Sequence, residues 1–289
     1  MIKFTKMQGA GNDFILFEEG GLPPQDALAR AVCDRRFGIG ADGILIAGQN
    51  GQGRPIMQYY NSDGSRAAFC GNGLRCFARY ARENGLVERD AFVVETAAGH
   101  RRVELHRDAA DRIDRVTVEM GMPELRPYEI PVLLAGKQAV EVPLQLAGER
   151  VVLTCLRVGV PHAVLFADCP PDEHRMRQLG EAIGRHPAFP EGINLDFAVQ
   201  EGPASLRIFT WERGAGHTLA CGTGCCAVAE AARLSGRTDS KKLRIEAEGG
   251  TLWVERREDG LWLTGPARTI CTGALSPEWV VGVHGTKNS

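Results

Sequence analysis

The 289-residue sequence contains no Cys-x-x-Cys pair, so the usual frame of a structural zinc site is missing. Its nine cysteines are an odd count, and Met1-Ile2-Lys3-Phe4-Thr5-Lys6 opens no signal-peptide apolar region. Both features argue against a disulfide framework, and the expectation is a cytoplasmic protein. An excess of either charge is also missing. The net charge is −2 and the pI about 6.4, with no long block of one sign, which gives no electrostatic footprint for nucleic acid. No apolar run reaches the length of a membrane span; the nearest, Val151 to Val160, is interrupted by Arg157. Lysine is scarce. Only Lys3, Lys6, Lys137, Lys241, Lys242 and Lys287 occur, and none lies in a recognisable pyridoxal phosphate motif. With 44% hydrophobic and 24% charged residues, the composition is that of one large or two medium globular domains.

What is present is a repeat. Cys70-Gly71-Asn72-Gly73 returns 151 positions later as Cys221-Gly222-Thr223-Gly224. Each copy leads into a helix-like run. Leu74, Phe77, Ala78 and Ala81 fall at helical spacing before Asn84-Gly85, and a run rich in Ala, Val and Cys precedes Ser235-Gly236. At the same offset Val94-Glu95, Gly99, Val103 and Glu104 match Ile245-Glu246, Gly250, Val254 and Glu255. An offset kept across separate segments signals duplication of one structural unit, at a period too long for a solenoid.

Seven of the nine cysteines read as small buried hydrophobes. Cys70 and Cys221 differ because each begins a helix, where free N–H groups and the helix dipole favour a thiolate. If both motifs face one cleft, the amides of Gly71-Asn72 and Gly222-Thr223 form a nest for a carboxylate. Its α-carbon then lies between two sulfurs. That arrangement suits proton removal from one face of the carbon and delivery to the other, with the carbanion spread into the carboxylate. Glu212 is placed to tune Cys221, and His162 to serve Cys70. Taken alone, His162 reads better as a satisfied histidine at a strand start, and Glu212-Arg213 as a solvent-facing ion pair.

In chain order, strands are expected at 2–7 and 14–18 around a hairpin turn, Gln8 to Asp13, and a helix over Pro24 to Phe37. Strands at 44–47, 56–61 and 92–95 complete a first half. Prolines 123, 127, 131 and 143 then punctuate short apolar runs, and the crossover is placed near residue 121. The second half repeats the plan: strands at 151–158 and 163–167, a helix at 172–184, strands at 194–199 and 205–211, the second cysteine motif, and strands at 243–248, 251–256 and 261–264. The expected division is 1–121 and 122–275, with the tail 276–289 returning to the first half.

Three stretches together resemble the diaminopimelate epimerase family. They are Phe4-Thr5-Lys6-Met7-Gln8-Gly9-Ala10-Gly11-Asn12-Asp13-Phe14, Asn61-Ser62-Asp63-Gly64-Ser65 with Cys70-Gly71-Asn72-Gly73, and Trp211-Glu212-Arg213-Gly214-Ala215-Gly216 with Ala220-Cys221-Gly222-Thr223-Gly224. The resemblance implies an α+β fold of two pseudo-symmetric domains, each a curved mixed sheet wrapped around a central helix, with the active site between them. It implies a cofactor-independent isomerase that interconverts L,L- and meso-2,6-diaminopimelate in lysine and peptidoglycan precursor biosynthesis, acting as a homodimer. On this sequence Cys70 and Cys221 become the catalytic pair, and His162 and Glu212 modulate their protonation. Gly71, Asn72, Gly222 and Thr223 hold the reacting carboxylate, and Asn12, Asn61, Asn194, Glu212 and Arg213 bind the rest of the substrate. No metal or cofactor is implied. Val160 stands where many members have asparagine, and Gly43 where some have glutamine. A related two-thiol racemase for proline or histidine remains an alternative, as does a non-catalytic amino-acid-binding protein.

Overall fold

The computed structural model describes residues 1–280. It divides into two units, Met1–Val118 with the described residues from Gly265 to Val280, and Glu119–Thr264. Each unit follows the mixed-sheet, central-helix plan. Four helices lie clear of the C-terminal end of the described residues: α1 (Gln25–Cys33), α2 (Gly71–Glu83), α3 (Glu173–Ile183) and α4 (Gly222–Leu234).

In the first unit, strand Lys3–Gly9 turns at Ala10 and Gly11, both with positive φ, into strand Asn12–Glu18. The turn is the two-residue kind whose twist suits a hairpin. Asn12–Glu18 runs parallel to Gly43–Gln49, which pairs antiparallel with Pro55–Asn61. Strands Ala91–Thr96, Gly99–Arg107 and Ile113–Gly121 continue the meander. Helix α2 contacts five of these strands, among them Lys3–Gly9 and Gly43–Gln49. Leu74, Phe77, Ala78 and Ala81, the four positions at helical spacing, are all fully buried. Burial of Leu74 and Phe77 contributes roughly 1.5–3 kcal/mol each.

The second unit repeats this order. Glu149–Val158 turns at Gly159, where φ is 72°, into Val160–Ala167. That strand runs parallel to Asn194–Gly202, which pairs antiparallel with Ser205–Glu212. Strands Lys242–Ala247, Gly250–Arg257 and Gly260–Pro266 close the series. Six of these strands contact α4, whose Cys225, Cys226, Ala227, Val228, Ala229, Ala231 and Ala232 are buried on all sides. Small side chains around the whole circumference allow a sheet to wrap the helix. Helix α3 is capped by Asp172, whose carboxylate accepts from the Arg175 N–H at 2.7 Å.

The structure departs from the sequence expectations at three elements. Strand Arg268–Ala274, assigned by sequence to the second half, pairs antiparallel with Lys3–Gly9 and belongs to the first unit. The proline-punctuated stretch contains a strand, Ala139–Leu146, which pairs with Glu149–Val158. Pro143 is tolerated there because, among the described residues, this strand is paired along one side. Each unit thus carries one added edge strand, drawn from opposite ends of its sequence. The first helix ends at Cys33, not Phe37, because the Asp34 carboxylate accepts from the N–H groups of Arg36 and Phe37 at 2.7 Å each and turns the chain. Of the expected returning tail, residues 276–280 lie against the first unit, where Trp279 Nε1 donates to the Phe37 carbonyl at 3.3 Å. Residues 281–289 lie outside the described residues. Among the described residues, no helix is long and apolar enough to cross a membrane.

Candidate functional site

In the first unit Cys70 is the N-cap of α2, with φ −146° and ψ 116°. Its Sγ accepts from the Gly73 N–H at 3.4 Å, so the sulfur lies over the open amides of the first turn. The Cys70 thiol also reaches Asn12 Oδ1 at 3.7 Å, and Asn72 Nδ2 donates to the same oxygen at 3.5 Å. Asn12 is held from behind: its Nδ2 donates to Asp42 Oδ2 at 2.5 Å, and Asp42 bonds Arg35 at 2.8 Å. Asn61 closes the neighbouring turn, donating to Ser65 Oγ at 2.9 Å. Asn12, Asn72 and Cys70 are therefore joined around the one amide oxygen of Asn12. Asp42 was not anticipated; its only signal was a place in the Gly-Ala-Asp-Gly turn before a strand.

In the second unit Cys221 is the N-cap of α4, with φ −108° and ψ 113°. It is buried, and its Sγ lies 3.2 Å from Thr223 Oγ1. Burial pushes the Cys221 thiol well above its ordinary value. The carboxylates of Glu212 and Asp196 push the same way, while the Thr223 hydroxyl and the Gly224 amide oppose them. His162, expected from the sequence to serve Cys70, lies in this unit beside Thr223. It is the third residue of strand Val160–Ala167, fully enclosed, with Nδ1 2.6 Å from Asp196 Oδ2 and Nε2 3.0 Å from Thr223 Oγ1. Glu212 accepts from the Thr218 hydroxyl at 2.5 Å. Asn194 accepts from the Arg213 backbone N–H at 2.8 Å, and the Arg213 guanidinium bonds the Glu191 carbonyl. Within this unit, then, His162, Glu212, Cys221 and Thr223 are neighbours, and Asn194 positions the Arg213 turn.

Sequence reasoning passed over Asp196 and Thr210. Asp196 is fully buried and accepts from the Thr210 hydroxyl at 2.8 Å. The available signal was register: Asp196 lies two residues after Asn194, on the same face, in a strand otherwise apolar from 195 to 199.

Each half-site has the same elements: a thiol at a helix start, open amides behind it, and side-chain amides or carboxylates beside it. A helix start of this kind holds an anion, and a thiol at its rim can exchange a proton with whatever the anion is attached to. Among the described residues no cluster of three or more His, Cys, Asp or Glu side chains is arranged to hold a metal ion.

The family model for diaminopimelate epimerase matches residues 4–126 and 154–270. A diaminopimelate epimerase from Alkaliphilus metalliredigens is 40% identical over 279 residues, covering 94% of this chain and 96% of the relative. One from Desulforudis audaxviator is 41% identical over 285 residues, covering 96% and 99%. Among solved structures, a probable proline racemase from Agrobacterium radiobacter superposes with a TM-score of 0.70 over 97% of this chain and 96% of its own, at 16% identity. At that identity the likeness is one of fold, and it extends the two-unit mixed-sheet architecture beyond sequence relatives. With the family model over most of its length and relatives near 40% identity across both units, the chain belongs to the diaminopimelate epimerase family.

Proposed function

We propose that this chain interconverts L,L-2,6-diaminopimelate and meso-2,6-diaminopimelate, using two thiols on opposite faces of one α-carbon and no cofactor. One sulfur, as thiolate, takes the α-proton: a C–H bond breaks, an S–H bond forms, and the electron pair spreads into the substrate carboxylate. The other sulfur, as thiol, gives its proton to the opposite face and is left as thiolate. Cys70 and Cys221 are this pair. The amides of Gly71, Asn72, Gly222 and Thr223 hold the carboxylate, where they stabilise the carbanion more than the substrate. His162 and Glu212 set the protonation of the sulfurs. Asn12, Asn61, Asn194, Glu212 and Arg213 take the remaining polar groups, the Arg213 fork suiting the distal carboxylate.

The observation that supports this reading most is the equivalence of the two cysteines, each the N-cap of the central helix of its unit. A helix that opens with a thiol in one unit is an incident; the same in both, in a family of this name, is a paired device. Part of the same reading is a homodimer in the cytoplasm, serving lysine and peptidoglycan precursor synthesis.

The test is solvent deuterium exchange at the α-carbon. Incubated in heavy water with L,L- or meso-diaminopimelate, the protein is expected to incorporate deuterium and generate the other isomer, and to leave proline and histidine unlabelled. Absence of exchange with both diaminopimelate isomers refutes the reading, and exchange with proline alone replaces it by a racemase.

A further inference from the structure

The polar groups behind Cys221 form a line in which each hydrogen bond fixes the direction of the next. Asp196 is enclosed, and as a carboxylate it can only accept. Its Oδ1 takes the Thr210 hydroxyl at 2.8 Å and its Oδ2 takes His162 Nδ1 at 2.6 Å. A neutral imidazole with its proton on Nδ1 offers Nε2 as an acceptor. Nε2 lies 3.0 Å from Thr223 Oγ1, so the Thr223 hydroxyl hydrogen is committed to it. Thr223 Oγ1 then has only lone pairs to present to Cys221 Sγ at 3.2 Å. The thiol must be the donor. The line begins at a group that cannot donate and ends at a sulfur that has to keep its proton.

The first unit reaches its cysteine differently: Asp42 Oδ2 takes Asn12 Nδ2 at 2.5 Å, Asn12 Oδ1 faces the Cys70 thiol at 3.7 Å, and other residues fill the positions of Asp196, Thr210 and Thr223. At the offset that relates Cys70 to Cys221, Leu45 falls on Asp196, Tyr59 on Thr210 and Asn72 on Thr223. The strand registers agree: Leu45 faces Tyr59 as Asp196 faces Thr210. Phe14 lies beside Gly43 as His162 lies beside Asn194. Where the second unit has a carboxylate, an imidazole and a hydroxyl, the first has Leu45 and an edge-to-face pair of Phe14 and Tyr59 with ring centres 5.9 Å apart. The two glycines that touch these positions report the same substitution. A Cβ on Gly73 would meet Leu45 and Phe14, and one on Gly224 would meet Asp196 Oδ1.

We propose that Asp196 is a positioning residue which, through His162 and Thr223, keeps the proton on Cys221 when the site is at rest. The assignment of a pair rests on the function proposed above; the direction of the hydrogen-bond line does not. Removing Asp196 outright would leave a buried histidine without its partner, so the informative change is isosteric. In Asp196→Asn the Thr210 hydroxyl holds the amide oxygen, and the amide NH2 faces Nδ1. His162 must then carry its proton on Nε2, and every later link reverses until the Thr223 hydroxyl donates to the Cys221 sulfur.

The experiment uses the full-length protein labelled with 15N in histidine. In the parent, His162 is expected as the neutral tautomer protonated on Nδ1, and in Asp196→Asn as the one protonated on Nε2. Iodoacetamide labelling of Cys221 at pH 8, resolved by peptide mass, is expected to be at least about tenfold faster in the variant, one unit of thiol acidity. With diaminopimelate, Asp196→Asn should lose kcat with KM nearly unchanged, the pattern of a lost transition-state interaction. Thr223→Val should lose kcat too, and Thr223→Ser should restore it. A His162 protonated on both nitrogens in the parent overturns the proposal. So does an unchanged tautomer with unchanged Cys221 labelling in Asp196→Asn, or a Thr223→Val variant as active as Thr223→Ser. If the parent fails to exchange either diaminopimelate isomer, the proposed function falls, while the tautomer and labelling results still decide the direction of the line.

Discussion

Alanine at two equivalent glycines should have opposite consequences. Gly73 and Gly224 hold the same place in the first turn of α2 and α4, three residues past the cysteine. Replacing a helical glycine by alanine ordinarily adds ~1 kcal/mol of helix preference. At Gly73 the new methyl finds Leu45 Cδ2 at 3.4 Å and Cys70 Cβ and Phe14 Cε1 at 3.5 Å, ordinary van der Waals contact. At Gly224 it finds Asp196 Oδ1 at 2.5 Å, inside any distance a real methyl tolerates. Asp196 is fully buried between Thr210 and His162, so the carboxylate can retreat only by breaking one of those bonds. Overpacking costs ~1–3 kcal/mol and a lost charge-assisted hydrogen bond ~1.5–3 kcal/mol. Against the helix gain, Gly224→Ala is destabilising by about 1.5–5 kcal/mol. For units of this size, ~1 kcal/mol moves a melting midpoint by about 3 °C. Scanning calorimetry should therefore place Gly224→Ala about 5–15 °C below the parent, and Gly73→Ala level with it or up to about 3 °C above. Equal shifts for the two variants would refute the claim that the units differ by a carboxylate against a leucine at this point.

Cys70→Ala and Cys221→Ala should each abolish isomer interconversion by at least about a thousandfold, within the range for loss of a positioned acid or base, while leaving the melting midpoint near that of the parent; either variant at parental speed ends the two-thiol mechanism. Burial pushes the thiols of Cys76 and Cys155 up to about 12, and that of Cys33, which the nearby Asp13 carboxylate raises further, also to about 12. Over the window from the ordinary 9.0 to about 12 the unfolded chain loses these protons while the folded chain keeps them, so stability is complete below 9 and falls as pH rises. Each thiol contributes up to ~1.4 kcal/mol per pH unit to that slope, and urea titrations of Cys155→Ala should be shallower by about one such increment. Gly43→Gln, the residue some family members carry, should be destabilising by about 1–3 kcal/mol, read as a lowered urea midpoint, because its Cβ would meet the Tyr60 carbonyl at 2.5 Å and Tyr59 Cε2 at 2.6 Å.

The central helices and their cysteine caps were legible because their causes are local. A cap, a Gly-x-Gly that admits close approach and a run of small or apolar residues all lie within one stretch of chain, and they occur twice. The edge strand Arg268–Ala274 was not legible, since its partner Lys3–Gly9 lies at the other end of the chain and most of its residues are exposed, leaving no apolar alternation to read. Asp196 escaped for a related reason. In Asn194-Leu195-Asp196-Phe197 an aspartate reads as the solvent side of an alternating strand, but this strand is buried on both faces. Whether a carboxylate can lie inward depends on His162 and Thr210, which come from two other strands. His162, taken alone, read as a satisfied histidine at a strand start, and it is third in Val160–Ala167 with both ring nitrogens bonded; what was not legible was that its partners, Asp196 and Thr223, belong to the unit of Cys221 and not to that of Cys70.

Duplication supplies two thiols, each at a helix start, but not two identical surroundings. The four substitutions that distinguish the second unit at this point, His162 for Phe14, Asp196 for Leu45, Thr210 for Tyr59 and Thr223 for Asn72, all lie on the one line ending at Cys221. None alone would be tolerated as well. A buried carboxylate without the imidazole and Thr210, or a buried imidazole without the carboxylate, leaves an unsatisfied polar group costing ~1–3 kcal/mol or more. The line therefore holds together only as a set; the first unit, with Leu45, Phe14 and Tyr59 at these positions, reaches its cysteine instead through Asp42 and Asn12.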